Sequence, residues 1–319
     1  VWLNCLTLIY KTRIFNETPM LNSRFTIMPS VFPSEYSLGC RIEGIDLSKP
    51  LDHYDETLII DAFGRFGVLC FPNQSLEPIQ HKAFASRFGS LEVNVAAGRY
   101  TVPGHPEVMI LSNEVVDGQP IGLGDAGQDW HTDMSYSETI AFLNVLYAIK
   151  VPKRNGKALG DTEFLDMCAA YDSLPETIKD RIENLSATHD FDKFWSKMVA
   201  MPGSKRKPLS PEQRAAKPPV SHPLVLRHPV SGRKALYCNV GYVVKINELE
   251  LEESDELLEF LFTHQLKEDF KYSHSWTEGD VLAWDNLWTM HNARADYEST
   301  ELRLMWRCQT MADRILLQR

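Results

Sequence analysis

Apolar residues recur at helical spacing in DETLIIDAFGRF (55–66) and again in EPIQHKAFASRFG (77–89), where Gly89 closes the pattern. Between them GVLCFP (67–72) is a continuous apolar run stopped by Pro72 and the turn residues Asn73 and Ser75, which predicts a buried strand. RIEGIDLSKPL (41–51) reads as a short strand and a turn, VMILSN (108–113) as a strand, and AFLNVLYAIKVP (141–152) as a long strand ended by Pro152. Glycines at 118, 122, 124 and 127 predict a flexible loop before WHTDMSY (130–136), where a further strand is expected. FLDMCAAYDSLP (164–175), ETIKDRIENL (176–185) and ELLEFLFTHQL (256–266) are expected helices. Strand patterns return at PLVLRHP (223–229), KALYCNVGYVVKI (234–246), FKYSHSW (270–276), DVLAWDN (280–286) and RLMWRCQTM (303–311). Many short strands with a few helices predict a mainly β fold with helical decoration, an antiparallel barrel or jelly roll. No G-x-G-x-x-G joins a strand to a helix and no Walker A sequence occurs, so a dinucleotide or P-loop fold is not supported.

Composition narrows the partners. The chain has 319 residues, 44% hydrophobic and 24% charged, which is ordinary globular composition. A net charge of -10 argues against nucleic acid or anionic lipid, though not against a small anionic substrate met by local arginines. No apolar run reaches the roughly 18 residues of a membrane span. The six cysteines form no C-x-x-C pair and mostly sit in apolar stretches, as expected for buried thiols in a cytoplasmic protein. VWLNCLTLIY at the start is apolar, but its basic residues Lys11 and Arg13 follow the apolar stretch rather than precede it, unlike a secretory signal. The expected organisation is a poorly ordered extension over 1–24, one domain over 25–313 and a short tail over 314–319. The proline-rich basic stretch near 202–219 is expected to be an insertion or lid, and a homo-oligomer is expected.

His131-Thr132-Asp133 is the first candidate for chemistry. Residues i and i+2 of a strand share a face, so both side chains could reach one ion. His291, expected in the loop after an apolar strand in WDNLWTMHNARADY (284–297), is the best third ligand. Two imidazoles and one carboxylate match the facial triad of non-haem Fe(II) oxygenases, whose open positions accept a bidentate 2-oxo acid and O2. An H-x-D triplet alone is weak evidence, and His53, His81, His105, His264 and His274 lack comparable context. Arg303 and Arg307, four apart in RLMWR (303–307), share one strand face, while Leu304 and Trp306 take the other. Guanidinium suits a carboxylate or sulfonate, so one arginine can hold 2-oxoglutarate and the other an anionic substrate. The pattern fits an inward pocket and an outward charged surface equally.

Ordered motifs extend these residues. From about residue 25 to 313 the chain resembles the taurine/2,4-dichlorophenoxyacetate dioxygenase family of Fe(II)/2-oxoglutarate-dependent oxygenases. The likeness lies in G-x-x-I-x-G-x-D-L (39–47), SRFGSLE (86–92), WHTD (130–133), GDT (160–162), HPVSGRKALYCN (228–239), WDN (284–286), the distal His291 and RLMWR (303–307). The resemblance implies a double-stranded β-helix, or jelly roll, with His131, Asp133 and His291 as iron ligands. It implies that Thr162 and Arg303 bind the distal carboxylate of 2-oxoglutarate and that Arg307 holds the substrate's anionic group. An acid at Asp133 implies hydroxylation, because halogenating relatives give up this carboxylate. Succinate and CO2 would be the coproducts, and the basic stretch could close over the substrate.

The departures concern the substrate. Where taurine enzymes place a His and then a Tyr after FGSLE, this chain has Asn94 and Ala97, and Gly127 stands where they supply an Asn before W-H-x-D. Phe194 and Trp195 replace a Ser-Phe pair, and Tyr242 replaces a pocket Phe. The expected substrate is therefore longer or more apolar than taurine but still anionic, of sulfonate, sulfate ester or aryloxyalkanoate type. The rival readings are a cupin-like divalent-metal hydrolase or isomerase, indifferent to O2 and 2-oxoglutarate, and a non-catalytic β-fold binding protein.

Overall fold

Strand Ala141–Lys150 is buried along nearly its whole length because both of its faces are covered. Its side chains alternate between two cores. Leu143 and Val145 pack with the helices His53–Phe66 and Pro78–Ala85, while Leu146 and Ala148 pack with Phe164, Trp284 and Met305 on the opposite side. The computed structural model describes residues 28–93, 100–201 and 206–315. The expected extension over 1–24, Asn94, Ala97, the start of the basic stretch and the end of the tail lie outside the described residues.

Around that strand an eight-stranded sheet forms in the order Ser30–Pro33, Cys40–Glu43, Val68–Phe71, Val281–Asp285, Ala141–Lys150, Leu304–Met311, His105–Ser112, Thr101–Val102. Its pairings are antiparallel except that of Cys40–Glu43 with Val68–Phe71. Facing it is a three-stranded sheet in the order Lys271–His274, Thr162–Asp166, Thr289–Ala293. A second three-stranded sheet, Val220–Pro223, Ser186–His189, Val243–Ile246, carries helix Phe191–Ala200 at one end. Helix Leu251–Gln265 closes a third apolar cluster with Leu236, Cys238 and Ile246. This mainly β architecture, with helices on one face of the large sheet, is the expected jelly roll. Among the described residues no helix is long and apolar enough to cross a membrane.

Several local expectations change. The helix expected from 164 begins only at Met167, because Thr162–Asp166 is a strand held on both sides and Asp166 accepts the amide of Ala169 (2.8 Å) as the helix cap. Helix Pro78–Ala85 ends before Gly89. That glycine serves a close approach instead: a Cβ there would collide with the carbonyl oxygen of Met311. No strand forms at 131–133. His131 makes one isolated bridge to His291, and the chain then turns through Met134 at φ 55°. His291 lies within strand Thr289–Ala293 rather than in a loop after one.

Candidate metal centre

The bridge between His131 and His291 is the frame of the site. Each residue donates its amide to the other's carbonyl, at 3.1 and 2.9 Å, so the two are directly opposed and their imidazoles lie 4.2 Å apart. The turn after Thr132 brings Asp133 to both rings. Its Oδ1 is 3.5 Å from His131 Nε2, and its Oδ2 is 3.7 Å from His291 Nε2. All three residues are buried, with donor atoms within 4.8 Å of one another. His131 Nδ1 is 2.8 Å from the carbonyl of Asp129. That contact places the proton on Nδ1 and leaves the Nε2 lone pair free for a metal. His291 is wedged between Trp284 (4.9 Å) and the ring of His131, and its Nδ1 has no partner.

Electrostatics favour an ionised carboxylate. Burial alone would raise the Asp133 pKa, but the Arg307 guanidinium beside it opposes this, and the group is held far below its ordinary range. Burial and the neighbouring His131 push His291 well down, so it is neutral. Two imidazole nitrogens and one carboxylate can hold a divalent ion. Asn144 donates to Asp133 Oδ2 at 2.6 Å and is itself held by Gln309 (2.9 Å), while Arg307 Nη1 reaches the same oxygen at 3.3 Å. Asn144 and Gln309 are opposed in register, on the inward face of two neighbouring strands.

Beside the triad is a small cavity lined by Thr162, Arg303, Arg307, Trp284, Leu146 and His291. The inward alternative for the two arginines is therefore the one realised. Thr162 lies opposite Ala293, two residues along the ladder from the Phe164–His291 pair, which puts its hydroxyl on the triad's side. Trp276 Nε1 donates to that hydroxyl (3.1 Å), leaving its hydrogen to point elsewhere. Arg303 is 5% exposed, its Nε is unpartnered, and none of the described carboxylates pairs with it. Burial pushes its pKa down, and the nearby Tyr297 only partly offsets this. A buried cation without a counter-charge is costly, so the cavity is built for an anion.

A second, wider cleft of about 140 Å³ opens beside His131 and Asp133. Helix Phe191–Ala200 turns Phe191, Phe194, Trp195 and Met198 into it at i, i+3, i+4 and i+7. Phe194 stands 5.4 Å from the His131 ring and 5.2 Å from Tyr242, and Tyr136 is 4.8 Å from both Tyr242 and Phe191. Arg206 and Lys217 of the basic stretch line this cleft. Arg206 pairs with Asp125 (2.7 Å) and sits over the Trp195 ring, whose Nε1 donates to the Lys207 carbonyl (2.8 Å). Lys217 Nζ hangs 4.8 and 4.5 Å from the centres of Tyr136 and Phe191, and burial depresses its pKa. Lys197 pairs with Asp129 and ties the helix to the loop that orients His131.

Of the residues expected at the site, His131, Asp133, His291, Thr162, Arg303, Arg307, Phe194, Trp195 and Tyr242 line these two spaces. The sequence reading missed Asn144, Gln309, Tyr136, Phe191 and Lys217. Asn144 carried a usable signal, a lone amide inside the apolar run AFLNVLYAIK; Lys217 carried none beyond belonging to a basic stretch.

Comparison with known proteins points the same way. Residues 30–309 match the family described as taurine catabolism dioxygenase TauD, TfdA family. Pentalenolactone F synthase from Streptomyces avermitilis is 32% identical over 291 residues, covering 87% of this chain and 92% of that protein. The alpha-ketoglutarate-dependent 2,4-dichlorophenoxyacetate dioxygenase of Burkholderia sp. strain RASC is 36% identical over 290 residues, covering 87% and 92%. Among solved structures, AAD-2 in complex with Mn(II) and N-oxalylglycine superposes with a TM-score of 0.73 at 28% identity, covering 89% of this chain and 98% of that one. A taurine dioxygenase from Burkholderia xenovorans gives 0.70 at 27% identity, covering 89% and 90%.

Proposed function

The chain belongs to the taurine catabolism dioxygenase TauD, TfdA family, and from that premise we propose that it hydroxylates a small anionic substrate carrying an aromatic or similarly broad apolar group. It is a 2-oxoglutarate-dependent dioxygenase, an oxidoreductase whose cofactor is Fe(II) and whose cosubstrates are 2-oxoglutarate and O2. In this reading His131, Asp133 and His291 hold the iron. The fit rests on two Nε2 atoms turned to one carboxylate, and on a His131 tautomer set by the Asp129 carbonyl. When bound, iron and 2-oxoglutarate together couple the reduction of O2 and the loss of CO2, leaving succinate, to hydroxylation of a substrate C–H bond.

The protein's own residues do the positioning. Thr162 and Arg303 hold the distal carboxylate of 2-oxoglutarate, and the observation that carries this is the buried, uncompensated Arg303 beside the triad. Asn144 and Arg307 occupy Asp133 Oδ2, which leaves Oδ1 for the ion. Phe194, Tyr242, Tyr136, Phe191 and Trp195 give an apolar substrate a wall and keep water from the reacting carbon. Arg307 and Lys217 are the cations available to its acidic group. Residues 206–219 then act as a cover, held by the Arg206–Asp125 pair. Asn94, outside the described residues, remains a candidate substrate contact on its sequence position. The relatives named for 2,4-dichlorophenoxyacetate and (S)-phenoxypropionate favour an aryloxyalkanoate over a sulfonate or sulfate ester. Hydroxylation next to an ether oxygen gives a product that collapses, releasing a phenol and an oxo acid.

Succinate formation by the iron-loaded protein across aryloxyalkanoates, sulfonates and sulfate esters tests this. Aryloxyalkanoates are expected to give the highest kcat/KM. Turnover of neutral analogues as fast as of the acids would contradict it. The cytoplasmic setting is part of the same reading, since the five described cysteines are all buried and free.

A further inference from the structure

Among the described residues, two groups of three metal-capable side chains converge within 4.8 Å. One is the triad above. The other is Cys70, His274 and Asp280, which neither the sequence reading nor the proposed mechanism uses. Cys70 comes from strand Val68–Phe71, Asp280 immediately precedes strand Val281–Asp285, and His274 ends strand Lys271–His274. The first two strands are adjacent in the large sheet, while the third is the outer strand of the small sheet that carries Thr162. The three donors thus meet at the seam between the two sheets.

We propose that Cys70, His274 and Asp280 form a second metal site, suited to Zn(II), that rivets the two sheets together. A closed cluster of hydrogen bonds is the simpler alternative, and part of it exists, since Asp280 Oδ2 accepts the amide of Thr277 at 2.8 Å. It leaves His274 Nε2 unsatisfied, however. That nitrogen is buried, has no hydrogen-bond partner, and lies 3.4 Å from Asp280 Oδ2. An ion between the donors would satisfy it. A thiol nucleophile assisted by imidazole is disfavoured, because burial and the neighbouring Asp280 push the Cys70 thiol far up, away from the reactive thiolate. A metal ion can still take the thiolate by displacing its proton. One sulfur, one imidazole and one carboxylate are borderline-soft donors that fit Zn(II) and fit Mg(II) or Ca(II) poorly. The donors keep 8%, 8% and 5% exposure, enough for an ion to enter and for water to fill a fourth position.

Cobalt distinguishes the two sites, because the triad contains no sulfur. Metal-free full-length protein titrated anaerobically with Co(II) is expected to bind two equivalents and to develop a near-ultraviolet thiolate-to-cobalt charge-transfer band. The band should survive Asp133→Ala, which disables the triad, and vanish in Cys70→Ser and His274→Gln. Zn(II) should raise the thermal midpoint of Asp133→Ala and leave that of the Asp133→Ala/Cys70→Ser double variant unchanged, with far-ultraviolet dichroism confirming that each variant is folded. Binding of a single equivalent without a thiolate band, or a band that persists in Cys70→Ser, would overturn the proposal.

Discussion

The two spaces beside the triad are made of different material. The Arg303 cavity is walled by strands, with Thr162 and His291 locked in one ladder and the Arg303 backbone held by the Asn113 side chain (2.8 Å) and by Ser112 Oγ (2.7 Å). Moving any of these groups breaks a hydrogen bond to the backbone. The Lys217 cleft is walled by one helix and a covering segment, joined by the Arg206–Asp125, Lys197–Asp129 and Arg214–Asp192 ion pairs and by cation–π contacts. Partly exposed pairs of that kind contribute about 0–1 kcal/mol each. Such a division suits an enzyme that always takes the same cosubstrate but whose relatives take different substrates: the first wall is rigid, and the second can change without disturbing the fold.

Mutations should separate the two walls. Asp133→Ala removes the triad's carboxylate and is expected to lower turnover at least about a thousandfold, beyond the roughly 10–100-fold typical of losing a residue that merely supports a ligand. Arg303→Ala should raise the KM for 2-oxoglutarate by about 100-fold or more, from the roughly 2–5 kcal/mol attached to a buried charged contact. The KM for the organic substrate should move little. An equal rise in both would break the comparison. Asn144→Ala should weaken iron binding about 10–100-fold, measured by competition with a chelator, because it strips Asp133 of its shortest hydrogen bond.

Smaller effects belong to the cleft. Lys217→Met should raise the KM of an anionic substrate about tenfold, consistent with the roughly 1.5–3 kcal/mol of a hydrogen bond to a charged group, and leave 2-oxoglutarate unaffected. Acid should loosen the same side. Burial, with His222 and Lys193 nearby, holds His189 at about 3. Its folded pKa therefore lies below its unfolded value of about 6.5, and the unfolded chain binds more protons between them. The stability from neutral His189 is present above about pH 6.5 and declines as pH falls toward 3. Hydrogen exchange in 186–189 and 220–223 should accelerate over that window.

The same contrast governed what could be read from the sequence. His131, Asp133, Thr162, His291, Arg303 and Arg307 were legible because the chemistry of two imidazoles, a carboxylate and paired guanidiniums is tied to short, ordered motifs. The elements carrying them were less legible. Thr289–Ala293 did not stand out as a strand, since its pairing with Thr162–Asp166 is set by residues more than a hundred positions away. Phe164 and Leu165 were absorbed into a helical pattern that begins only after Asp166. Lys217 became visible only when the chain brought it over Tyr136 and Phe191, because a lysine in a basic stretch has no local mark of burial.

The central claim, that His131, Asp133 and His291 hold iron while Thr162 and Arg303 hold 2-oxoglutarate, is tested most directly by anaerobic absorption spectroscopy. Adding 2-oxoglutarate to the Fe(II)-loaded protein should produce a weak visible charge-transfer band, absent in Asp133→Ala and requiring far more 2-oxoglutarate in Arg303→Ala. No band in folded, iron-loaded wild-type protein, or an unchanged titration in Arg303→Ala, would contradict it.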